Sequence, residues 1–139
     1  MKMPSLINPL DDLDHVGIHP LETPEALACL IQACEASPLR YFVVDIGDAR
    51  SKAQLLERLS EALKFPDYFG HNWDALCDVL CDQEWFGNSG VVLHLKHTAS
   101  FEKLAADDWL TLYEILEEAI DYWRQSGLPF WVFVDHASG

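Results

Sequence analysis

Short apolar runs rich in β-branched residues alternate along this chain with stretches whose apolar positions recur every three or four residues. The runs predict buried strands at residues 41–46, 91–95 and 130–134. The helical spacing predicts helices at residues 51–63, 73–81 and 107–125. Strands that are apolar on both faces and separated by helices are typical of a parallel sheet with right-handed crossovers. The pattern therefore predicts a small α/β fold with a three-stranded parallel sheet, covered by helices mainly on one side.

The first 39 residues differ in character from the rest. Residues 1–20 are rich in Asp, Pro and His and are predicted to be irregular, with a short extended piece at residues 16–18. Thr23 suits a helix N-cap and Pro24 suits the first helical position, which predicts a helix over about residues 24–36. We therefore divide the chain into an N-terminal extension, residues 1–39, and a main domain, residues 40–139. The helix of the extension is expected to pack on the exposed side or the edge of the same sheet.

The composition of the chain excludes several classes of function. The chain has 139 residues, of which 50% are hydrophobic and 12% aromatic, as expected for one globular domain. Its 9 Lys and Arg against 23 Asp and Glu give a net charge of −14, which repels nucleic acids and anionic membranes. No run approaches the roughly 20 apolar residues of a membrane span, and the N-terminus lacks the pattern of a signal peptide. We expect a cytoplasmic protein whose partner is basic.

The four cysteines fall in two pairs, at residues 29 and 34 and at residues 77 and 81. Neither pair has the C-x-x-C spacing of zinc ribbons or thioredoxin-like redox sites. We therefore expect four reduced thiols that serve as small apolar residues.

The most informative stretch is the helix predicted at residues 73–81. At about 100° per residue, one face is apolar and packs, through Trp73, Leu76, Cys77 and Leu80. The other face carries one stripe of carboxylates: Asp74, Asp78 and Asp82. No lysine or arginine occurs between Lys64 and Lys96. The stripe is either a merely solvated face or a docking surface for something cationic; a second acidic group on the long helix (Glu114, Glu118, Asp121) is interpreted as a solvated face.

A resemblance bears on this choice. Residues 65–80, FPDYFGHNWDALCDVL, resemble the signature of the barstar family, the intracellular inhibitors of barnase-type ribonucleases. The family pattern is roughly P-x-Y-[YF]-G-x-N-x-D-A-L-x-D-x-L, and every fixed position is present. The order of predicted elements also agrees, over about residues 40–135. The resemblance implies a two-layer α/β fold with a three-stranded parallel sheet, no enzymatic activity, and no cofactor or metal.

The resemblance also implies a mechanism. In the family, the last Asp of D-A-L-x-D, here Asp78, takes the place of the scissile phosphate in the basic cleft of the ribonuclease. Asp74 would pair with a second cation at the rim, while Tyr68 and Gly70 would pack over the catalytic groove. The implied partner is a basic extracellular-type ribonuclease or a similar basic toxin, so the protein would be an immunity protein or antitoxin. The implied partner-binding residues are Tyr68, Phe69, Gly70, Asn72, Trp73, Asp74, Cys77, Asp78 and Asp82.

Departures from the best-known member leave alternatives open. That inhibitor has Leu at the position of Trp73 and Trp at the position of Cys77, and its acid on the long helix is replaced here by Tyr122. One alternative is therefore a binding or immunity module for a basic protein that is not a ribonuclease. Another is an enzyme with His71, Asp74 and Asp78 as ligands of a divalent ion, although the chain contains no second metal-binding motif.

Overall fold

The predicted alternation of strands and helices is present, and the described residues include one strand and one helix more than were predicted. The computed structural model describes residues 16–21, 24–36, 39–65, 72–82 and 90–135. The strands are β1 (Ile18–Pro20), β2 (Arg40–Asp45), β3 (Val91–Lys96) and β4 (Phe130–Asp135). The helices are α1 (Pro24–Glu35), α2 (Lys52–Leu63), α3 (Trp73–Leu80), α4 (Ala99–Leu104) and α5 (Ala106–Gln125). Within the described ranges, no helix has the length and apolar content needed to cross a membrane.

The sheet has four strands, so the prediction of three strands is wrong. Its order is β1-β4-β3-β2, and all neighbours are parallel. β1 is held by backbone bonds at both ends: Val132 N–H donates to Gly17 O at 3.0 Å, and Leu21 N–H donates to Val134 O at 2.8 Å. β1 has only three residues, the last of which is a proline, and its sequence shows no pattern that predicts a strand. Its pairing follows from the open edge that β4 offers it.

One face of the sheet forms the main core. The side chains of Val44, Leu95 and Val134 lie in register across β2, β3 and β4, and each is almost fully buried. On this face the Trp123 ring of α5 meets the Phe130 ring edge to face, with centroids 5.5 Å apart. The face is therefore covered by the helices that link β2, β3 and β4, as right-handed crossovers require.

The opposite face is covered by the extension. Tyr41 lies in register with Val92 and Trp131, one residue out of phase with the main core. β1 and β2 lie at opposite edges of the sheet, so the connection through α1 crosses the sheet, and a right-handed crossover places it on the face opposite the other crossover helices. The pKa of Tyr41 is raised by burial, the largest cause, and by the Cys34 thiol of α1, which agrees with this placement. The cover is partial, because Val43 remains 42% exposed.

α4 was not predicted from the sequence. It has six residues, too few for an apolar period to emerge, and it is anchored by Phe101, which is fully buried. Thr98 precedes it; its N–H donates to Asp135 O at 3.1 Å, and its hydroxyl donates to Glu102 Oε2 at 2.6 Å. The bond to Asp135 ties the start of α4 to the end of β4.

The turn before β3 gives a test of the packing. Gly90 has φ +106°, and a Cβ there would lie 2.4 Å from Leu39 Cδ2 and 2.8 Å from Pro129 Cγ. We expect Gly90→Ala to lower the free energy of unfolding by about 2–4 kcal/mol, through overpacking and backbone strain. Gly127→Ala is the matched control, because Gly127 also has positive φ (+80°) but no neighbouring atom within 4 Å. It should lose only about 1–2 kcal/mol. Urea unfolding measures both variants. If both lose the same free energy of unfolding, the clash at Gly90 is contradicted.

Candidate functional site

The start of α3 is fixed by the predicted cap. Asn72 has extended backbone angles (φ −135°, ψ 170°), and its Oδ1 accepts a hydrogen bond from Ala75 N–H at 2.8 Å. This bond satisfies one of the N–H groups that a helix leaves unpaired at its start. Asn72 therefore acts on the site by holding the first turn of α3, while its own residue stays exposed.

In the centre of α3, the buried side chains lie on the face that helical spacing predicts to pack. Leu76, Val79 and Leu80 are buried, whereas Trp73 and Cys77 are half-buried at one side of the face. α3 rests on α5 through two side-chain bonds. The indole Nε1–H of Trp123 donates to the carbonyl oxygen of Leu80 at 2.8 Å inside the core, and Cys77 Sγ donates to Glu118 Oε1 at 3.4 Å.

Asp74 and Asp78 lie on the opposite face and are exposed. Neither forms an ion pair with any part of the chain that the structure describes. The ion pairs lie elsewhere: Arg58 with Asp48 at 2.9 Å, Arg124 with Asp121 at 2.6 Å, and His97 with Asp45 at 3.0 Å. α3 therefore presents two carboxylates whose charge is not neutralised locally.

Asp82 does not continue this stripe as a helical residue. α3 ends at Leu80 with Cys81 as its C-cap, and Asp82 N–H donates to Val79 O at 3.0 Å beyond the last turn. Asp82 is half-buried, unlike Asp74 and Asp78. The structure thus brings two of the three predicted carboxylates together on one helix face.

The loop that precedes α3 in the signature, with Tyr68, Phe69, Gly70 and His71, lies outside the described residues.

At the boundary of this loop, Trp73 has a cationic neighbour. The Lys52 ammonium at the start of α2 lies 5.8 Å from the centroid of the Trp73 ring, within the range of a cation–π contact. The acidic face of α3 is therefore bordered by a positive charge at its N-terminal end.

The thiols beside the acidic face are held in the protonated form. Burial, followed by the hydrogen bond to Glu118, raises the pKa of Cys77 to about 12. Burial also raises the pKa of Cys81. Because the thiolate is the reactive form, both cysteines are poor nucleophiles at neutral pH. Cys29, Cys34, Cys77 and Cys81 are all free thiols in the structure, as the sequence predicts.

Two neighbours of the site were not predicted. Lys52 and Glu118 reach α3 from α2 and α5, and Glu118 lies 41 positions from the Cys77 that it contacts. Glu118 was predicted to lie on a solvated face, and a helical pattern alone does not indicate that an acid of α5 bonds to α3. Among the described residues no group of three His, Cys, Asp or Glu is arranged to hold a metal ion, and His71 lies outside them.

Comparison with known families identifies the family of this chain. The family described as Barstar (barnase inhibitor) matches residues 39–135 of the chain. The chain belongs to the barstar family. The match includes α3 and all the elements that pack against the main core, and it leaves β1 and α1 outside. Members of the barstar family are inhibitors rather than enzymes.

The fold also occurs outside the barstar family. The solved structure of an Aeropyrum pernix ORC2 protein, in ADPNP–ADP complexes, superposes on 88% of this chain with a TM-score of 0.62. Sequence identity is 14%, and this chain spans 35% of the length of that one, so the likeness concerns the fold alone. No curated protein sequence matches the chain.

The cap of α3 provides a test. We expect Asn72→Ala to lower the free energy of unfolding by about 1 kcal/mol, because the N–H of Ala75 loses its acceptor. Asn72→Ser is the control and should recover most of this loss, since serine caps helices nearly as well. Thermal unfolding measures both variants. If Asn72→Ala and Asn72→Ser are equally stable, the capping bond does not support α3.

Proposed function

We propose that this protein binds and blocks the basic active-site cleft of a barnase-type ribonuclease, with the Asp78 carboxylate in the place of the scissile phosphate. It would act in the cytoplasm as an immunity protein or antitoxin. Membership of the barstar family supports the inhibitor class. The observation that carries the proposal is the exposed pair Asp74 and Asp78, without ion-pair partners in the described chain, on a helix fixed at both ends.

The charges of α3 suit a cleft built to bind RNA. Such a cleft holds Arg, Lys and His side chains, which form short charge-assisted hydrogen bonds with carboxylates. Asp74 and Asp78 are one helical turn apart, so that they repel each other by a few tenths of a kcal/mol in the free protein. A cationic partner would relieve this repulsion. The net charge of −14 adds long-range attraction to the same partner.

The hydrogen bonds at the two ends of α3 support binding without a large ordering cost for this helix. Asn72 holds its first turn, and Trp123 holds the carbonyl of Leu80 in its last turn. A helix whose end groups are already bonded loses less conformational entropy on association. Glu118, bonded to Cys77, places a further carboxylate beside α3.

A second candidate is a module for a basic protein other than a ribonuclease. The observation that favours it lies at the rim, at two of the positions that differ from the best-known inhibitor: Trp73 packs near Lys52, and Cys77 bonds to Glu118. Retention of a basic protein on the immobilised chain, followed by a ribonuclease assay of the retained protein, separates the two candidates. Ribonuclease activity that the chain suppresses supports the first candidate, and a retained basic protein without such activity supports the second.

Asp78→Ala should abolish tight inhibition and leave the fold intact. Asp78 is exposed and makes no core contact, so thermal stability should hold or rise slightly as repulsion with Asp74 is removed. In the complex, removing one partner of a desolvated charge pair leaves the other charge buried, which costs about 3–5 kcal/mol. Calorimetric titration against the retained ribonuclease measures the loss.

Glu35→Ala is the matched control for Asp78→Ala. Glu35 is an exposed acid at the end of α1, away from α3, so the variant removes the same charge without touching the proposed surface. It should bind almost as tightly as the parent, and Asp82→Ala should lose much less than Asp78→Ala. The phosphate-mimic role of Asp78 is lost if Asp78→Ala binds like Glu35→Ala, or if it unfolds.

Association should depend steeply on salt. Exposed charges are screened beyond about 8 Å at physiological ionic strength. We expect the association rate constant to fall about tenfold or more between roughly 0.01 M and 0.5 M salt, because electrostatic steering is lost. The dissociation rate should change less. Stopped-flow mixing gives both, and an association rate that stays flat over this range would exclude steering by the acidic face.

A further inference from the structure

A buried histidine lies on the sheet face that the extension covers. His94, in the middle of β3, is only 2% exposed. Its Nδ1 lies 3.1 Å from the Tyr41 hydroxyl of β2, with which it shares one hydrogen. Its Nε2 is buried and has no hydrogen-bond partner in the described structure. A neutral imidazole tolerates an unpaired nitrogen at moderate cost, whereas a charged one in the same place is far more costly.

The surroundings of His94 do not supply a counter-charge strong enough to offset its burial. Burial is the largest influence and lowers the pKa of His94; Asp135 on β4 opposes this shift, and Lys96 and His97 at the end of β3 reinforce it. From β2 the titratable group in contact with His94 is Tyr41, whose own pKa is raised by burial and by Cys34 of α1. From β1, His19 lies on the same face, with its ring centroid 5.9 Å from that of Phe133, the residue of β4 paired with His94. Burial, reinforced by Lys96 and His97 and opposed by Asp135, therefore favours the neutral form of His94.

The two faces of the sheet around His94 differ in how completely their side chains are buried. On the main-core side, the side chains of Val44, Leu95 and Val132 are at most 1% exposed beneath the crossover helices. On the His94 side, Val43 of β2 is 42% exposed and Ile31 of α1 is 40% exposed. Water therefore reaches Nε2 at least cost by displacing α1, rather than by opening the sheet.

We propose that α1 is an acid-releasable cover: protonation of the His94 ring detaches α1 from the sheet, while β2, β3 and β4 with their crossover helices stay folded. The released segment lies outside the residues that match the barstar family. The inference does not depend on the proposed ribonuclease, and its failure would leave that proposal unchanged.

The direction of the pH dependence follows from linkage. The closed form favours neutral imidazole, and the open form binds a proton with the ordinary pKa of about 6.5. The docked state of α1 is therefore fully stable above about pH 6.5 and loses stability as the pH falls below it. If the closed form binds no proton, the opening equilibrium rises about tenfold between pH 7.5 and pH 5.5.

Amide hydrogen exchange of the full chain tests the proposal. Protection factors, normalised to the unstructured exchange rate at each pH, should fall about tenfold for α1 between pH 7.5 and pH 5.5. Those of β3 and β4 should stay within about twofold, since the sheet does not open. An equal fall in α1 and in the sheet overturns the proposal, and so does a constant protection of α1.

Variants assign the effect to His94. His94→Leu fills the site with an apolar side chain, and His94→Gln keeps a partner for the Tyr41 hydroxyl; neither titrates, so α1 should lose its pH dependence in both. If His94→Leu fails to fold, His94→Gln carries the test. His97→Asn is the control, because His97 has φ +59°, a backbone conformation that asparagine also adopts. In this variant the protection of α1 should still depend on pH. Persistence of the tenfold fall in His94→Gln overturns the proposal.

Discussion

The hydrogen bond from the Trp123 indole to the Leu80 carbonyl is the interaction on which the candidate site depends. α3 has eight residues, too few to be stable as an isolated helix, so its orientation must come from its neighbours. Trp123 is fully buried near the end of the 20-residue α5 and satisfies a carbonyl that a helix end leaves unpaired. With this end fixed, the apolar side of α3 faces α5, and Asp74 and Asp78 are directed to solvent.

The strands of the main domain could be predicted because each is a continuous apolar run. β2, β3 and β4 lie within one residue of the predicted limits at either end. β1 and α4 could not be predicted in the same way. Ile18–Pro20 contains a histidine and a proline, and it becomes a strand only because β4 offers an unpaired edge. α4 is held by Phe101 and by the bonds of Thr98, which are tertiary contacts that leave no periodic signal.

The candidate site was predictable as far as one helix determines it. The exposure of Asp74 and Asp78 and the cap at Asn72 follow from helical spacing and residue type, and the structure agrees with both. Spacing gives the direction of a side chain but not what lies opposite, so Lys52 beside Trp73 was missed. The position of Asp82 depended on where α3 ends. An added half-turn would have kept it on the stripe, but the helix ends at Leu80.

The pairing of β1 with β4 has a consequence for self-association. An apolar strand at the margin of a sheet offers unpaired backbone groups that recruit other chains edge to edge. Here the margin beside β4 is closed by three residues that end in Pro20, which has no N–H to donate to a further strand. The segment that precedes the barstar match therefore shields a hydrophobic strand from aggregation, a protection that net charge alone does not provide.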